Sequence, residues 1–175
     1  MLGQYENFPE VIHGFARFAC GSPTGKVLQA ILYALHKLNQ EVCGLNAVTP
    51  HSPPDIEVSF EVGVAEDVEF NYLDKEELDK FQKSMVGKEL PLLDFFCVVR
   101  YHVVNDKRKR VPLKFDYHML RFMFQENSME MRICHERGTQ RVPLEDLITF
   151  ITNRINEELS QKRQKVLSLE YLRTL

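Results

Sequence analysis

The sequence contains no tryptophan, only four cysteines among its 175 residues, and no apolar run near the roughly 18 residues that a membrane-spanning helix requires. The last absence removes a transmembrane helix from the reading. The opening residues MLGQYENFPE combine no basic region with no apolar one, so the expectation is a chain that is not exported. Cys20, Cys43, Cys97 and Cys134 lie far apart and form no CxxC pair. That spacing excludes a dense disulfide framework and a compact thiolate metal motif. It points to a reducing, cytoplasmic setting. Catalytic signatures are missing too. There is no GxSxG, and GSPTGK at 21–26 is one residue short of a phosphate loop and is followed by Val27 rather than Ser or Thr. No catalytic residue, metal or cofactor is assigned, and the chain reads as a binding protein more than as an enzyme.

What is present is ordinary globular material. Hydrophobic residues make up 44% and charged residues 27%, and 12 phenylalanines replace tryptophan as core filler. The length suits one domain spanning 1–175, with a Pro-rich connector at 43–55 as its only weak subdivision. The net charge of −3 hides an asymmetry. Residues 1–96 carry seven basic and fifteen acidic side chains, whereas 97–141 carry ten basic and five acidic. Such a basic block in an acidic chain points to an acidic partner or to attraction within the fold.

Periodicity supplies the elements. Residues 11–20 read as a strand. Pro23, with Ser22 as its cap, opens a helix over 23–39, in which Val27, Leu28, Ile31, Leu32, Leu35 and Leu38 share one stripe. IEVSFEVGV at 56–64 alternates as a half-buried strand, with a return at 68–72. Asp74 and Glu77 have capping-box spacing ahead of a short helix that Gly87 stops. Three strands follow at 92–104, 113–124 and 129–135, an antiparallel meander. Its last turn contains Gly138. Pro143 begins an amphipathic helix expected to run to the C-terminus, interrupted by SQKRQK and resumed by VLSLEYLRTL. Strands and helices mix without a βαβ rhythm, so the class is α+β with a mostly antiparallel sheet packed by helices. The apolar tail of that long helix either folds back on its own chain or pairs with a second one, and a homodimer through it is the expectation.

The stretch of greatest interest is NDKRKRVPLKFDYHMLRF, residues 105–122. Parity places Arg100 and His102 on one face of their strand and Tyr117 and Arg121 on one face of the next. With Arg132 they form a basic, aromatic surface if the registers agree. Lys107, Arg108, Lys109 and Arg110 occupy the hairpin tip, and Lys114 and Arg137 add charge. Cations hold phosphates and flat rings stack on unpaired bases, so the leading reading is single-stranded nucleic-acid binding without catalysis. The layout of 92–175, a basic and aromatic antiparallel sheet, an HERGTQR turn and a C-terminal helix, resembles the archaeal ThermoDBP-type single-stranded DNA-binding proteins. That resemblance implies a cleft with aromatic and basic walls, with Tyr117, Arg121, Arg132 and Arg137 as its residues, and a helix that pairs chains.

Two other functions compete. In the first, the basic tip docks an acidic protein surface. In the second, Asp116, Glu130 and Arg132 serve a magnesium-dependent nuclease, although Arg cannot surrender a proton to activate water. A zinc set of His102, His118, Cys134 and His135 has no supporting ligand-pair spacing.

Overall fold

The computed structural model describes residues 1–175. The elements in chain order are β1 (Gly14–Ala19), α1 (Thr24–Leu38), β2 (Val42–Gly44), β3 (Ile56–Glu66), β4 (Glu69–Tyr72), α2 (Lys75–Ser84), β5 (Leu92–Val104), β6 (Arg110–Gln125), β7 (Ser128–Arg137), α3 (Leu144–Gln161) and β8 (Ser168–Thr174). All eight strands join one sheet in the order β2-β3-β5-β6-β7-β1-β8, with β4 beside the far half of β3. Every pairing is antiparallel. The protein is therefore α+β with a single antiparallel sheet. No helix is long and apolar enough to cross a membrane.

The sheet has two unlike faces because each strand alternates. One face carries Val58, Phe60 and Val62 of β3, Phe95, Cys97 and Val99 of β5, Leu120 and Phe122 of β6, Met131 and Ile133 of β7, and Ala16 and Phe18 of β1, all buried. Helices α1 and α3 cover it. The expected stripes face inward: Leu28, Ile31, Leu32, Leu35 and Leu38 from α1, and Leu147, Ile148, Ile151, Ile155 and Leu159 from α3. Phe150 of α3 stacks on Phe60 at 5.4 Å between ring centroids. Lys37 and Glu158 bridge the two helices. The other face is open across β7, β1 and β8, and the N-terminal segment crosses it over β5 and β6.

Local signals were mostly followed. Asp74 caps α2 by accepting the Glu77 N–H at 2.9 Å. Ser22 does not cap α1, whose cap position is Pro23; the Ser22 hydroxyl instead donates to the Lys165 carbonyl at 2.8 Å. The connector at 43–55 includes β2 and one turn of 3-10 helix at Leu45–Ala47. The Thr49 hydroxyl, in the same connector, donates to Asp146 in the first turn of α3.

The largest correction concerns the C-terminus. The helix ends at Gln161, not near residue 175. Arg163 turns the chain back with a φ of 57°. The side chain of Asn156 then accepts the Leu167 N–H at 2.8 Å and donates to its carbonyl at 3.2 Å. The chain continues as β8 along the free edge of β1. Val166, Leu169, Leu172 and Leu175 fit a helical stripe by spacing. Leu172 and Thr174 against Tyr171 and Arg173 fit a strand, and the unfilled hydrogen bonds of β1 favour the strand. The expected chain-pairing helix therefore does not exist beyond residue 161, and α3 buries its stripe within its own chain.

Candidate nucleic-acid interface

Strand registers bring the expected residues to one face. Glu57 pairs with His102 and Ser59 with Arg100. Asp94 pairs with Arg121, Arg121 with Arg132, Arg132 with Phe15, and Phe15 with Arg173, so one row crosses five strands. The next row holds Met123, Glu130, Arg17 and Tyr171. Tyr117 pairs with Arg137 across a bulge. Arg100, His102, Tyr117, Arg121 and Arg132 all lie on the open face.

Most of these side chains already have partners. Arg121 grips Asp94 through two bonds, Nε at 2.7 Å and Nη2 at 2.8 Å, and lies 4.3 Å beneath the Phe8 ring. Asp94 is fully buried and also accepts the Tyr5 N–H. Burial pushes its carboxyl above the usual range, although Arg121 and the Tyr5 N–H pull it down. Arg121 therefore anchors the N-terminal segment and offers nothing to a phosphate. Arg100 pairs with Glu61 at 2.7 Å, and His102 Nε2 contacts the Ser59 hydroxyl. Tyr117 stacks on Phe96, which in turn meets Phe70, and Phe70 meets Tyr5. Gly63 leaves the space that the Phe96 ring fills, since a Cβ there would lie 2.2 Å from it. Burial raises the Tyr117 phenol, with Tyr5 and Glu136 adding to the effect. One face of the Tyr117 ring is thus occupied.

The exposed half of the face lies over β7, β1 and β8. Phe15 and Tyr171 meet edge to face, with centroids 6.0 Å apart. Arg17 reaches over Phe15 at 5.6 Å. Arg132 contacts Glu130 at 3.1 Å, while Arg173 forms no ion pair. Beside them is a groove of about 470 Å³, lined by His13, Phe15, Arg132, Tyr171, Arg173 and Leu175 among others. Phe15, Arg17, Tyr171 and Arg173 were missed in the sequence. Their alternation was visible, but that the two ends of the chain form neighbouring strands was not.

The basic tip lies elsewhere. Arg121 lies eleven positions along β6 from Arg110, about 36 Å of strand. Arg110 pairs loosely with Glu57, and Lys107, Arg108, Lys109, Lys114 and Arg137 are exposed and form no ion pair. Val111, Leu113 and Phe115 beside the tip are exposed as well.

The nuclease geometry fails. Asp116 lies on the helix-covered face opposite Val99, while Glu130 lies on the open face opposite Met123. The sheet separates the two carboxylates, so they cannot share a cation. The four-residue zinc set divides in the same way, with His102 and Cys134 on the open face and His118 and His135 on the covered one.

No known family model and no curated protein matches the chain.

Proposed function

We propose that the protein binds single-stranded nucleic acid on the open half of its sheet, without catalysis. The observation that carries this reading is the groove beside Phe15 and Tyr171, where the half-buried Phe15 ring lies between Arg132 and the unpaired Arg173 and the exposed Tyr171 ring meets it from the next row. Rings of this kind stack on unpaired bases at about 1–3 kcal/mol per base, and guanidinium groups take the phosphates. A groove of this size is also in the range of small-ligand sites, and it fits one or two bases better than a duplex. The exposed Arg137, further along β7, extends the same face. The reading needs no second chain, and no dimer through the C-terminal helix belongs to it. Its setting is the reducing cell interior, in keeping with four unpaired cysteines.

The test is fluorescence anisotropy with labelled single-stranded and double-stranded oligonucleotides at about 50 and 200 mM salt. Micromolar or tighter single-strand binding that weakens with salt, and weakens further in Phe15→Ala and Tyr171→Ala, is the expected result. Absence of binding at the lower salt overturns the reading. The protein-docking alternative then gains weight, because the tip joins unpaired Lys107, Arg108 and Lys109 to exposed Leu113 and Phe115. That combination suits an acidic protein surface with an apolar centre.

A further inference from the structure

A polar cluster lies under the helices, away from the open face. Asp116 of β6 and His135 of β7 are joined by a hydrogen bond of 3.0 Å from Nε2 to Oδ1. His118 pairs directly with His135 across the strands, and their ring centroids are 5.0 Å apart. One ligand atom from each of the three residues lies within 4.8 Å of the others. His118 is fully buried, and neither of its ring nitrogens has a hydrogen-bond partner. A buried imidazole left so is costly, at about 1–3 kcal/mol for each unsatisfied group. Cys97 on one side and Leu120 along the strand are apolar neighbours, and a smaller apolar residue at 118 would avoid that cost.

We propose that Asp116, His118 and His135 bind a divalent transition-metal ion, zinc by the character of the donors. Two imidazoles and one carboxylate suit zinc, and magnesium or calcium would want six or more oxygens. The ligand atoms of a tetrahedral zinc site lie roughly 3.4 Å apart; His135 Nε2 and Asp116 Oδ1 are already at 3.0 Å, and His118 must approach by up to about 1.4 Å. On binding, His135 exchanges its Nε2–H tautomer for the Nδ1–H one and frees Nε2 for the metal. The carboxylate is held in place by the Tyr101 hydroxyl and the Gln140 and Arg141 N–H groups, and the His135 backbone N–H is bound by His13 Nδ1. The ion would tie the loop 138–142 to the sheet.

The test uses tag-free, chelator-treated full-length protein titrated with zinc chloride by calorimetry. One zinc per chain is expected, with affinity lowered at least about 100-fold in His118→Leu. Long-range proton–nitrogen spectra of the wild type then identify the rings, so the test holds even if the variant fails to fold. Two of the six histidines, His118 and His135, are expected to shift with one equivalent of zinc. No zinc binding, binding that leaves these two rings unmoved, or equal affinity in a folded His118→Leu overturns the proposal.

Discussion

Arg121 and Asp94 face each other across β5 and β6 in a two-pronged ion pair, and the carboxylate is wholly withdrawn from water. Breaking a buried pair from one side leaves the other charge uncompensated, at about 3–5 kcal/mol. Arg121→Ala is therefore expected to lower the urea midpoint by an amount matching about 3 kcal/mol. Folded Arg121→Ala is expected to bind oligonucleotides as the wild type does. A selective loss of affinity with unchanged stability would return Arg121 to the binding face.

The same pair has a pH signature. Because burial raises the Asp94 carboxyl, the folded state holds that proton more readily than the unfolded chain. The stabilising contribution of this titration is complete below the ordinary carboxylate range and is lost as pH rises through the folded value. Between about pH 7 and pH 4, the stability of the wild type relative to Asp94→Asn is expected to shift in favour of the wild type on acidification. Parallel urea titrations of the two proteins read this directly. A shift in the other direction would mean that Arg121 outweighs burial.

Gly138 and Asp116 supply a second test. Gly138 has φ of 119°, and a Cβ there would lie 2.3 Å from Asp116 Oδ1 and 2.4 Å from the Phe115 carbonyl oxygen. Gly138→Ala combines a disfavoured backbone with a collision against a fixed carboxylate. Overpacking alone costs about 1–3 kcal/mol, and the strained φ adds to it. A drop in melting temperature of several degrees is expected, at roughly 2–4 °C per kcal/mol for a chain this long. An unchanged melting temperature would show that the loop 138–142 moves freely and that Asp116 does not hold it.

The uneven legibility of the sequence has a physical basis. Strands β5, β6 and β7, the Asp74 cap and the turn at Gly138 depend on neighbours within a few residues, and parity alone fixes which side chains of one strand share a face. The grouping of Arg100, His102, Tyr117, Arg121 and Arg132 also required the strand registers, which no local pattern specifies. What those arginines do depends on distant residues. Asp94 and Glu61 neutralise two of them, and the N-terminal segment covers one. The pairing of His118 with His135 depends on a bulge that leaves Glu136 unpaired, and no local pattern specifies it. The tail was ambiguous because Val166, Leu169, Leu172 and Leu175 suit a helix as well as Tyr171 and Arg173 suit a strand. The free edge of β1 settled it, and with it half of the candidate groove.

The binding face makes a quantitative demand on its individual residues. Phe15→Ala and Tyr171→Ala are each expected to cost about 1–3 kcal/mol of single-strand affinity, roughly 5- to 150-fold, with little change in salt dependence. Arg173→Ala and Arg132→Ala are expected to weaken binding across sequences and to reduce the salt slope by about one each. Tyr117→Ala is expected to act mainly on stability, since its ring packs on Phe96. Lys107→Ala and Lys109→Ala, some 36 Å away along β6, are expected to change affinity only through long-range charge that salt screens. Anisotropy titrations of these variants across salt separate the groups.

The strand β8 that carries Tyr171 and Arg173 depends on one side chain. Asn156 accepts the Leu167 N–H and donates to the Leu167 carbonyl, a two-way clasp where α3 hands the chain back to the sheet. Asn156→Ala leaves both groups of a buried residue unpaired, at about 1–3 kcal/mol each, although water reaching the opened turn will offset part of this. The loss should be local. Residues 167–174 are expected to exchange their amide hydrogens faster, while β5, β6 and β7 keep their protection. If the groove is the site, the same variant should lose single-strand affinity, because Tyr171 and Arg173 no longer hold their places beside Phe15 and Arg132. Faster exchange at β8 with unchanged affinity would separate the tail from binding and leave β1 and β7 as the remaining candidates.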